Sequence, residues 1–253
     1  MGESSRKSGK SLEANQRSKK AGHASGRKKL MSGGIALILL AVVLVAALFI
    51  LKEQTGGEAE MAYPDLKQVE SGQVPEGFDE ENQPVLGDAS APFQIVVFSD
   101  YKCPYCKLWM EEVLPEIKKA YIDQGKARFV YVDMAFLAPD SVLAALAGET
   151  LYQMDPAYFW KYHGLMTERQ GDKSTEWATY AFITELVEKE MPEVPFDRFK
   201  EDFKSEKYIG NIKRDLDIAD QHGVQGVPTV FINGVKFEEP TFDEVRKYIE
   251  ENS

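Results

Sequence analysis

The most informative stretch of the chain is SDYKCPYCKLW, residues 99–109. It holds the two cysteines of the 253-residue sequence, Cys103 and Cys106, with Pro104 and Tyr105 between them. Cysteines at this spacing can open and close a disulfide repeatedly, and the two residues between them tune its geometry and reduction potential. A structural disulfide is the alternative, but closing a two-residue loop removes little chain entropy and so stabilises little. The pair is therefore interpreted as redox-active.

The flanking sequence predicts a strand before this pair and a helix after it. Residues 93–98, FQIVVF, are a short apolar run of β-branched and aromatic residues, which is typical of a buried strand. Apolar residues recur at helical spacing from about Pro104, and Gly125 is the predicted stop. Cys103 then lies at a helix N-terminus, where free backbone N–H groups and the helix dipole lower the pKa of a thiol. Cys106, one turn further on, is predicted to be more buried.

The rest of the folded part is predicted to contain a long helical insertion. Sequence from about 140 to 222 shows helical patterns without a strand signal between them. Asn233-Gly234 is one of the strongest short hairpin signals, and a last helix is predicted at about 242–251. The further predicted strands are residues 127–132, 229–232 and 235–238. The fold class is therefore α/β, in the order strand, helix, strand, helical insertion, hairpin, helix.

The N-terminal third of the chain is predicted to be an anchor and a linker. Residues 33–51, GGIALILLAVVLVAALFIL, are uncharged and long enough to cross a hydrocarbon core about 30 Å thick. The basic residues of the segment 1–32 predict a cytoplasmic tail, with the folded part outside. A cleaved signal peptide is the alternative, although the apolar run exceeds the usual h-region. Residues 52–82, which are polar and rich in Gly, Glu and Pro, are interpreted as a flexible tether.

Charge is divided unevenly along the chain. Residues 1–30 carry a net +7, from nine Lys or Arg and two Glu, and the whole chain carries −11, so residues 31–253 carry −18. This acidic balance argues against nucleic-acid binding by the outer part. Disulfides persist outside the cytoplasm, so an idle pair of reduced thiols is not expected there.

Three segments resemble the thioredoxin-fold disulfide oxidases of the DsbA/BdbD type. They are QPVLGDASAPFQIVVFSDYKCPYC (83–106), LPEIKKAYIDQGKARFVYVD (114–133) and GVQGVPTVFINGV (223–235). The resemblance covers residues 83–253 and implies a thioredoxin-like domain with an inserted helical subdomain, preceded here by a single transmembrane helix. It implies that Cys103 is the sulfur that substrates attack and Cys106 the resolving one. It also implies that Pro228 is cis and that Val227 and Pro228 face the disulfide, where an extended substrate segment pairs with the backbone.

The sequence departs from the family pattern at two places. Members often carry a glutamate six residues before the first cysteine, which helps to move the proton of the buried one; here that residue is Val97. Either Asp100 or water serves instead, or proton transfer is slower. The dipeptide between the cysteines is Pro-Tyr rather than Pro-His, and Pro-Tyr also occurs in glutaredoxins. The motif therefore leaves the direction of electron flow open.

The function predicted from these features is donation of the Cys103–Cys106 disulfide to unfolded or reduced exported proteins. The resemblance implies that a quinone-linked membrane protein of the DsbB/VKOR type reoxidises the pair and that no cofactor is required. A reductase or isomerase of the same fold is one alternative. A non-catalytic holdase for exported chains is another, and its activity would survive replacement of Cys103 by serine.

A calcium site is a further hypothesis. Glu149 lies in the apolar run VLAALAGETLY and needs a partner if it is buried, for which a salt bridge or partial exposure is the simpler interpretation. The alternative is calcium held by Glu149, by Asp215 or Asp217, and by a carbonyl near Gln83. His163, in an aromatic helix, is interpreted as structural.

Overall fold

The computed structural model describes residues 40–45 and 61–253. Residues 40–45 are helical. The rest of the predicted span at 33–51, the predicted tail at 1–32 and residues 52–60 lie outside the described residues. Within the two described ranges, no helix is both long enough and apolar enough to cross a membrane.

A five-stranded mixed sheet forms the centre of residues 61–253. Its strands are β1 (Val85–Leu86), β2 (Phe93–Ser99), β3 (Ala127–Asp133), β4 (Thr229–Ile232) and β5 (Val235–Glu238). They lie in the order β1-β3-β2-β4-β5, with β2 and β3 parallel and the other neighbours antiparallel. The four predicted strands are confirmed to within one residue, whereas β1 was not predicted.

The helices lie around this sheet. In the described part of the chain, α1 spans 104–122 and passes through α-helical turns at Pro104–Leu108 and Leu114–Ile117 and π-helical turns at Trp109–Val113 and Lys118–Ile122. The later helices are α2 (Pro139–Tyr152), α3 (Pro156–Glu168), α4 (Tyr180–Glu190), α5 (Phe196–Lys204), α6 (Ile209–Gln221) and α7 (Phe242–Glu251). Helices α2 to α6 form the predicted insertion between β3 and β4.

The side chains of β2 alternate between two apolar cores. Ile95 and Val97 pack with residues of α1 and α7 on one face of the sheet, whereas Val96 and Phe98 pack with residues of α6 on the other. Both faces are covered, which explains why β2 is a continuous apolar run rather than an alternating one. The chain thus leaves the C-terminal end of β2 at Ser99 and enters α1 at Pro104.

The insertion has a core of its own, built around α2. Almost every residue of this helix is buried, from Asp140 to Leu151. It packs against α3, α4, α5 and α6. A helix that is apolar around its whole circumference must be enclosed in this way. The start of α2 also meets the turn that bears the cysteines.

Residues 61–82 pack against the folded domain, and this corrects the tether prediction. Phe78 is 6% exposed. Its ring stacks on His222 with centroids 4.1 Å apart and contacts Phe231 at 5.0 Å. Asp79 pairs with Arg214 at 2.8 Å. The prediction of a flexible segment over 52–82 is therefore wrong for residues 61–82, because isolated apolar residues among Pro and Gly give no periodic signal.

Replacing Phe78 by alanine tests this boundary. Phe78→Ala is expected to lower the free energy of unfolding by about 3 kcal/mol, because a buried ring and its stacking contacts are lost. Val235→Ala, on the exposed side of β5, is the control and should change it by no more than about 0.5 kcal/mol. Urea unfolding of the full chain in detergent measures both. Equal effects of the two substitutions would contradict the packing of residues 61–82.

Candidate active site

The two thiols lie at the junction of β2 and α1. Cys103 is the N-cap of α1, with extended backbone, and Pro104 follows in the first turn, where the N–H that it lacks has no helical partner to lose. Both thiols are free. Cys106 is the deeper, at 2% exposed against 5% for Cys103. Tyr105, between them, is exposed.

The surroundings of the two sulfurs push their pKa values apart. The pKa of Cys103 is lowered from 9.0 to about 7, first by a hydrogen bond with the Cys106 thiol and then by the backbone N–H groups of Cys106 and Tyr105, against the opposing effect of burial. Burial raises the pKa of Cys106 far above its ordinary value, and the neighbouring Cys103 raises it further. Near pH 7 the pair therefore combines a reactive thiolate with a protonated, buried thiol.

The segment before β4 faces Cys103. The Val227–Pro228 bond is cis, as the resemblance implied. Sγ of Cys103 lies 3.4 Å from the carbonyl oxygen of Val227. The register of β2 and β4 explains the approach, because Phe98 pairs with Thr229 and the residues beyond each pair lie side by side.

Asp100 holds the turn between β2 and Cys103. Its Oδ1 accepts hydrogen bonds at 2.8 Å from the Lys102 N–H and the Ser141 hydroxyl. Its Oδ2 accepts from the backbone N–H groups of Phe136 and Leu137 at 3.1 Å. Burial raises the pKa of this carboxyl. Both oxygens are committed to holding the loop, so Asp100 is a positioning group rather than a replacement for the missing glutamate.

A buried ion pair that the sequence did not predict anchors the same turn. Nζ of Lys102 lies 2.6 and 2.8 Å from the two carboxylate oxygens of Asp140, and it also donates to the carbonyl of Thr175 at 2.7 Å. The Asp140 carboxylate accepts two further bonds from the N–H groups of Trp177 and Ala178. Asp140, a charge at the start of the most apolar helix, is the one sequence signal of this pair.

The C-terminal end of α3 closes the site from another side. Nε2 of Gln170 donates to the carbonyl oxygens of Tyr101 and Cys103, at 2.8 and 3.0 Å. Nζ of Lys107 donates to the carbonyls of Thr167 and Glu168, at 2.6 and 2.9 Å, and so caps α3. The turn that bears the cysteines is thus fixed by α2, by α3 and by the loop after α3. No sequence pattern pointed to Gln170.

The residues of the calcium hypothesis meet in a buried cluster. The side-chain amide of Gln83 donates to Oδ1 of Asp215 at 2.5 Å, and Oε1 of Glu149 accepts from the amides of Gln153 and Asn211. Burial raises the pKa of Asp215, and the charge of Glu149 raises it further. The positive charge of Arg214 acts in the opposite direction on the pKa of both Glu149 and Asp215. Asp217 instead pairs with Lys213. Within the described ranges, no group of three or more His, Cys, Asp or Glu is arranged to hold a metal.

Comparison with known proteins identifies the family. A sequence profile described as Thioredoxin matches residues 79–251. The chain belongs to the thioredoxin family. Within it, the chain is similar to the "Probable disulfide bond formation protein D" of Bacillus anthracis, with 35% identity over 175 residues that cover 69% of this chain and 80% of that protein.

Two solved thioredoxin-like structures are similar to this one. Oxidised BdbD from Bacillus subtilis matches with a TM-score of 0.64 and 33% identity, covering 72% of this chain and 97% of that one. DsbA from Chlamydia trachomatis matches with a TM-score of 0.61 and 29% identity, covering 67% and 91%. The expected thioredoxin-like fold with a helical insertion is confirmed, and the protein is a thiol–disulfide oxidoreductase.

Titration of Cys103 tests the electrostatics of the pair. Thiolate absorbance of the reduced chain is expected to rise with a midpoint near pH 7. Cys106→Ala should move the midpoint upward, towards the ordinary pKa of 9.0, because the main stabilising hydrogen bond is lost. Cys106→Ser keeps a donor and is the matched control, with a smaller shift. A midpoint that is the same in Cys106→Ala and in the wild type would contradict the assigned cause.

Proposed function

We propose that this protein is an extracytoplasmic oxidase that donates the Cys103–Cys106 disulfide to exported proteins. The observation that carries the proposal is the position of Cys103, whose thiolate is stabilised at a helix N-terminus and whose Sγ lies 3.4 Å from the backbone carbonyl oxygen of Val227, just before β4. The name of the Bacillus relatives, disulfide bond formation protein D, supports the oxidative direction.

The chemistry is two successive thiol–disulfide exchanges. A substrate thiolate attacks Sγ of Cys103 in the disulfide form, the bond to Cys106 breaks, and the Cys106 sulfur takes up a proton. A second substrate thiolate then attacks the substrate sulfur of this mixed disulfide, and Cys103 leaves as the thiolate that its surroundings favour. The substrate loses two electrons and two protons. The cysteine pair gains both electrons and the one proton that goes to Cys106, and the other proton is released to solvent because Cys103 stays a thiolate.

The surface around the cysteines supports unfolded chains as substrates. Four large apolar side chains are exposed on the turn and on the loop that Asp100 holds: Tyr105, Leu108, Phe136 and Leu137. Exposed apolar side chains suit the apolar segments that an unfolded chain presents. We assign Val227 and Pro228 to the substrate clamp, since the Val227 carbonyl can accept a bond from an added strand. Pro104 and Tyr105 would tune the pair.

The proposed oxidase activity requires a location outside the cytoplasm and a partner that reoxidises the cysteine pair. The uncharged segment 33–51 supports a single-pass anchor, with residues 1–32 in the cytoplasm and the folded domain outside. Each donated disulfide leaves two electrons on the cysteine pair, so an oxidant must take them. A quinone-linked membrane protein of the DsbB/VKOR type has the chemistry for this step and is the partner we propose.

Replacement of single cysteines separates the oxidase from a holdase. The oxidised chain is expected to oxidise reduced, unfolded ribonuclease A, and Cys103→Ser should abolish this because the attacked sulfur is lost. Cys106→Ser cannot form the donor disulfide, but its Cys103 thiolate should attack the disulfides of oxidised, denatured ribonuclease A and remain bound as a mixed disulfide, visible by non-reducing gel and mass spectrometry. Val235→Ala is the control and should keep full activity. No oxidation by the wild type, together with suppression of substrate aggregation that Cys103→Ser retains in full, would exclude the oxidase and favour a non-catalytic holdase.

We further propose that Gln83, Glu149 and Asp215 hold a calcium ion, which would neutralise buried carboxylates without entering the thiol chemistry. At 100 times its dissociation constant, calcium is expected to stabilise the fold by about 2.7 kcal/mol relative to a sample in chelator. Glu149→Gln should remove most of this gain, whereas Glu193→Gln, in an exposed ion pair with Lys161, should keep it. Equal melting temperatures of the wild type in calcium and in chelator would refute the site.

A further inference from the structure

The buried thiol of Cys106 poses a problem of proton transfer. Each time Cys106 attacks a mixed disulfide on Cys103 it must lose a proton, and each time it leaves it must regain one. Its side chain is buried, and burial raises its pKa. Val97, on the strand that leads to the turn, is fully buried and apolar. The proton therefore has to pass through other groups to reach water.

A row of hydroxyl groups begins at Cys106. The Ser99 side chain interacts with both the Cys106 thiol and the Tyr131 hydroxyl. The Tyr131 hydroxyl donates to Oδ1 of Asp133 at 3.2 Å and also lies beside the hydroxyl of Tyr101. The Tyr101 hydroxyl lies 3.2 Å from Nδ1 of His163. One small pocket of about 10 Å³, about the space that one water molecule needs, is lined by residues that include Cys106, Ser99, Tyr131, Tyr101 and His163.

His163 lines this pocket and also a groove at the surface. The residue is 7% exposed, and its Nε2 is buried and has no hydrogen-bond partner within the part of the chain that is described. The same ring lines a surface groove of about 340 Å³, together with Leu114, Trp160, Gly164 and Glu168. Packing against aromatic neighbours does not require a buried nitrogen to go unpaired, and an unpaired one calls for an explanation, such as a role in proton transfer.

We propose that Ser99, Tyr131, Tyr101 and His163 form a proton path between the Cys106 thiol and water in this groove. As Cys106 closes the disulfide, its S–H proton passes to Ser99, and Ser99 passes its own proton to Tyr131. The Tyr131 hydroxyl turns from Asp133 and passes its proton to Tyr101. The proton of Tyr101 reaches Nδ1 of His163, and the proton on Nε2 leaves to water. The Cys103–Cys106 bond forms, the partner thiolate leaves, and one proton is released. The reverse sequence returns a proton when Cys106 is the leaving group.

The properties of the individual groups suit this path. Burial raises the pKa of both Tyr101 and Tyr131 well above the ordinary value, so neither phenol stays ionised and the protons move together. Burial lowers the pKa of His163 to about 4. The resting imidazole is therefore neutral, and one of its nitrogens can accept a proton. The low pKa means that the imidazolium form releases this proton readily. Ser99 touches the reacting sulfur, whereas the other three residues act through it.

The test is a single-turnover reaction of the reduced full chain, in detergent, with oxidised glutathione. Acid quenching and mass spectrometry follow two steps, formation of the Cys103–glutathione mixed disulfide and its closure by Cys106. Tyr101→Phe is expected to slow closure by about tenfold or more, within the range of general acid–base effects, so that the mixed disulfide accumulates. The first step should be unchanged, and so should the final equilibrium with glutathione, because the path affects only the rate.

Tyr162→Phe is the matched control. It also removes one buried phenol, whose hydroxyl donates to the Ala144 carbonyl at 2.9 Å, and its ring lies beside Tyr101. Closure in this variant should proceed at the wild-type rate. Thermal unfolding of each variant verifies that it is folded. Closure in folded Tyr101→Phe at the wild-type rate, or equal slowing in the two variants, would overturn the path.

A second variant tests the exit and does not depend on the first. His163→Ala should slow closure, and free imidazole entering from the groove should restore it, whereas imidazole should not rescue Tyr101→Phe. Absence of rescue would overturn the assignment of His163 as the exit. The inference rests on the proposed exchange at Cys103. Failure of the wild type to react with glutathione would refute that function, whereas normal reaction with unaffected variants would refute the path alone.

Discussion

The active site requires two sulfurs on one helical turn to differ in protonation. Cys103, at the N-terminus of α1, is surrounded by donors that favour its thiolate, and Cys106 lies behind it where burial favours the thiol. A helix N-terminus supplies the first condition without any charged side chain. The second requires that protein cover the next turn, which is the part played by α3 and the aromatic residues around His163. The reactive sulfur and its protonated partner thus depend on the same small piece of backbone.

The helical insertion holds that piece of backbone in place. Lys102 is 1% exposed and reaches Asp140 at the start of α2, Asp100 reaches Ser141, and Gln170 reaches the carbonyl of Cys103. Burying an ion pair usually stabilises less than apolar packing would, and its use is to fix position. Strand β2 places the cysteines beyond its C-terminal end, and the helical insertion sets the orientation of their side chains. A movement of α2 would therefore change the position of the two thiols.

Much of this architecture could be predicted because its signals are local. Short sequence patterns predict strand β2, the hairpin at Asn233-Gly234 and the position of the cysteines between a strand and a helix. Both residues of the hairpin turn take the left-handed conformation. The contacts that complete the site join distant residues. The Lys102–Asp140 pair spans 38 positions and the Tyr101–His163 contact spans 62, so no spacing reveals them. Strand β1 could not be predicted because it has only two residues and forms by pairing with β3.

The direction of electron flow is set by the potential of the cysteine pair rather than by the thiolate alone, since thioredoxin, a reductant, also has a thiol pKa of about 7. The most direct test is to equilibrate the full chain in detergent with glutathione buffers and measure the reduction potential of Cys103–Cys106. The account predicts an oxidising value, between that of protein disulfide isomerase at about −180 mV and that of DsbA at about −120 mV. A value near that of thioredoxin, about −270 mV, would contradict it and make the protein an electron-fed reductase.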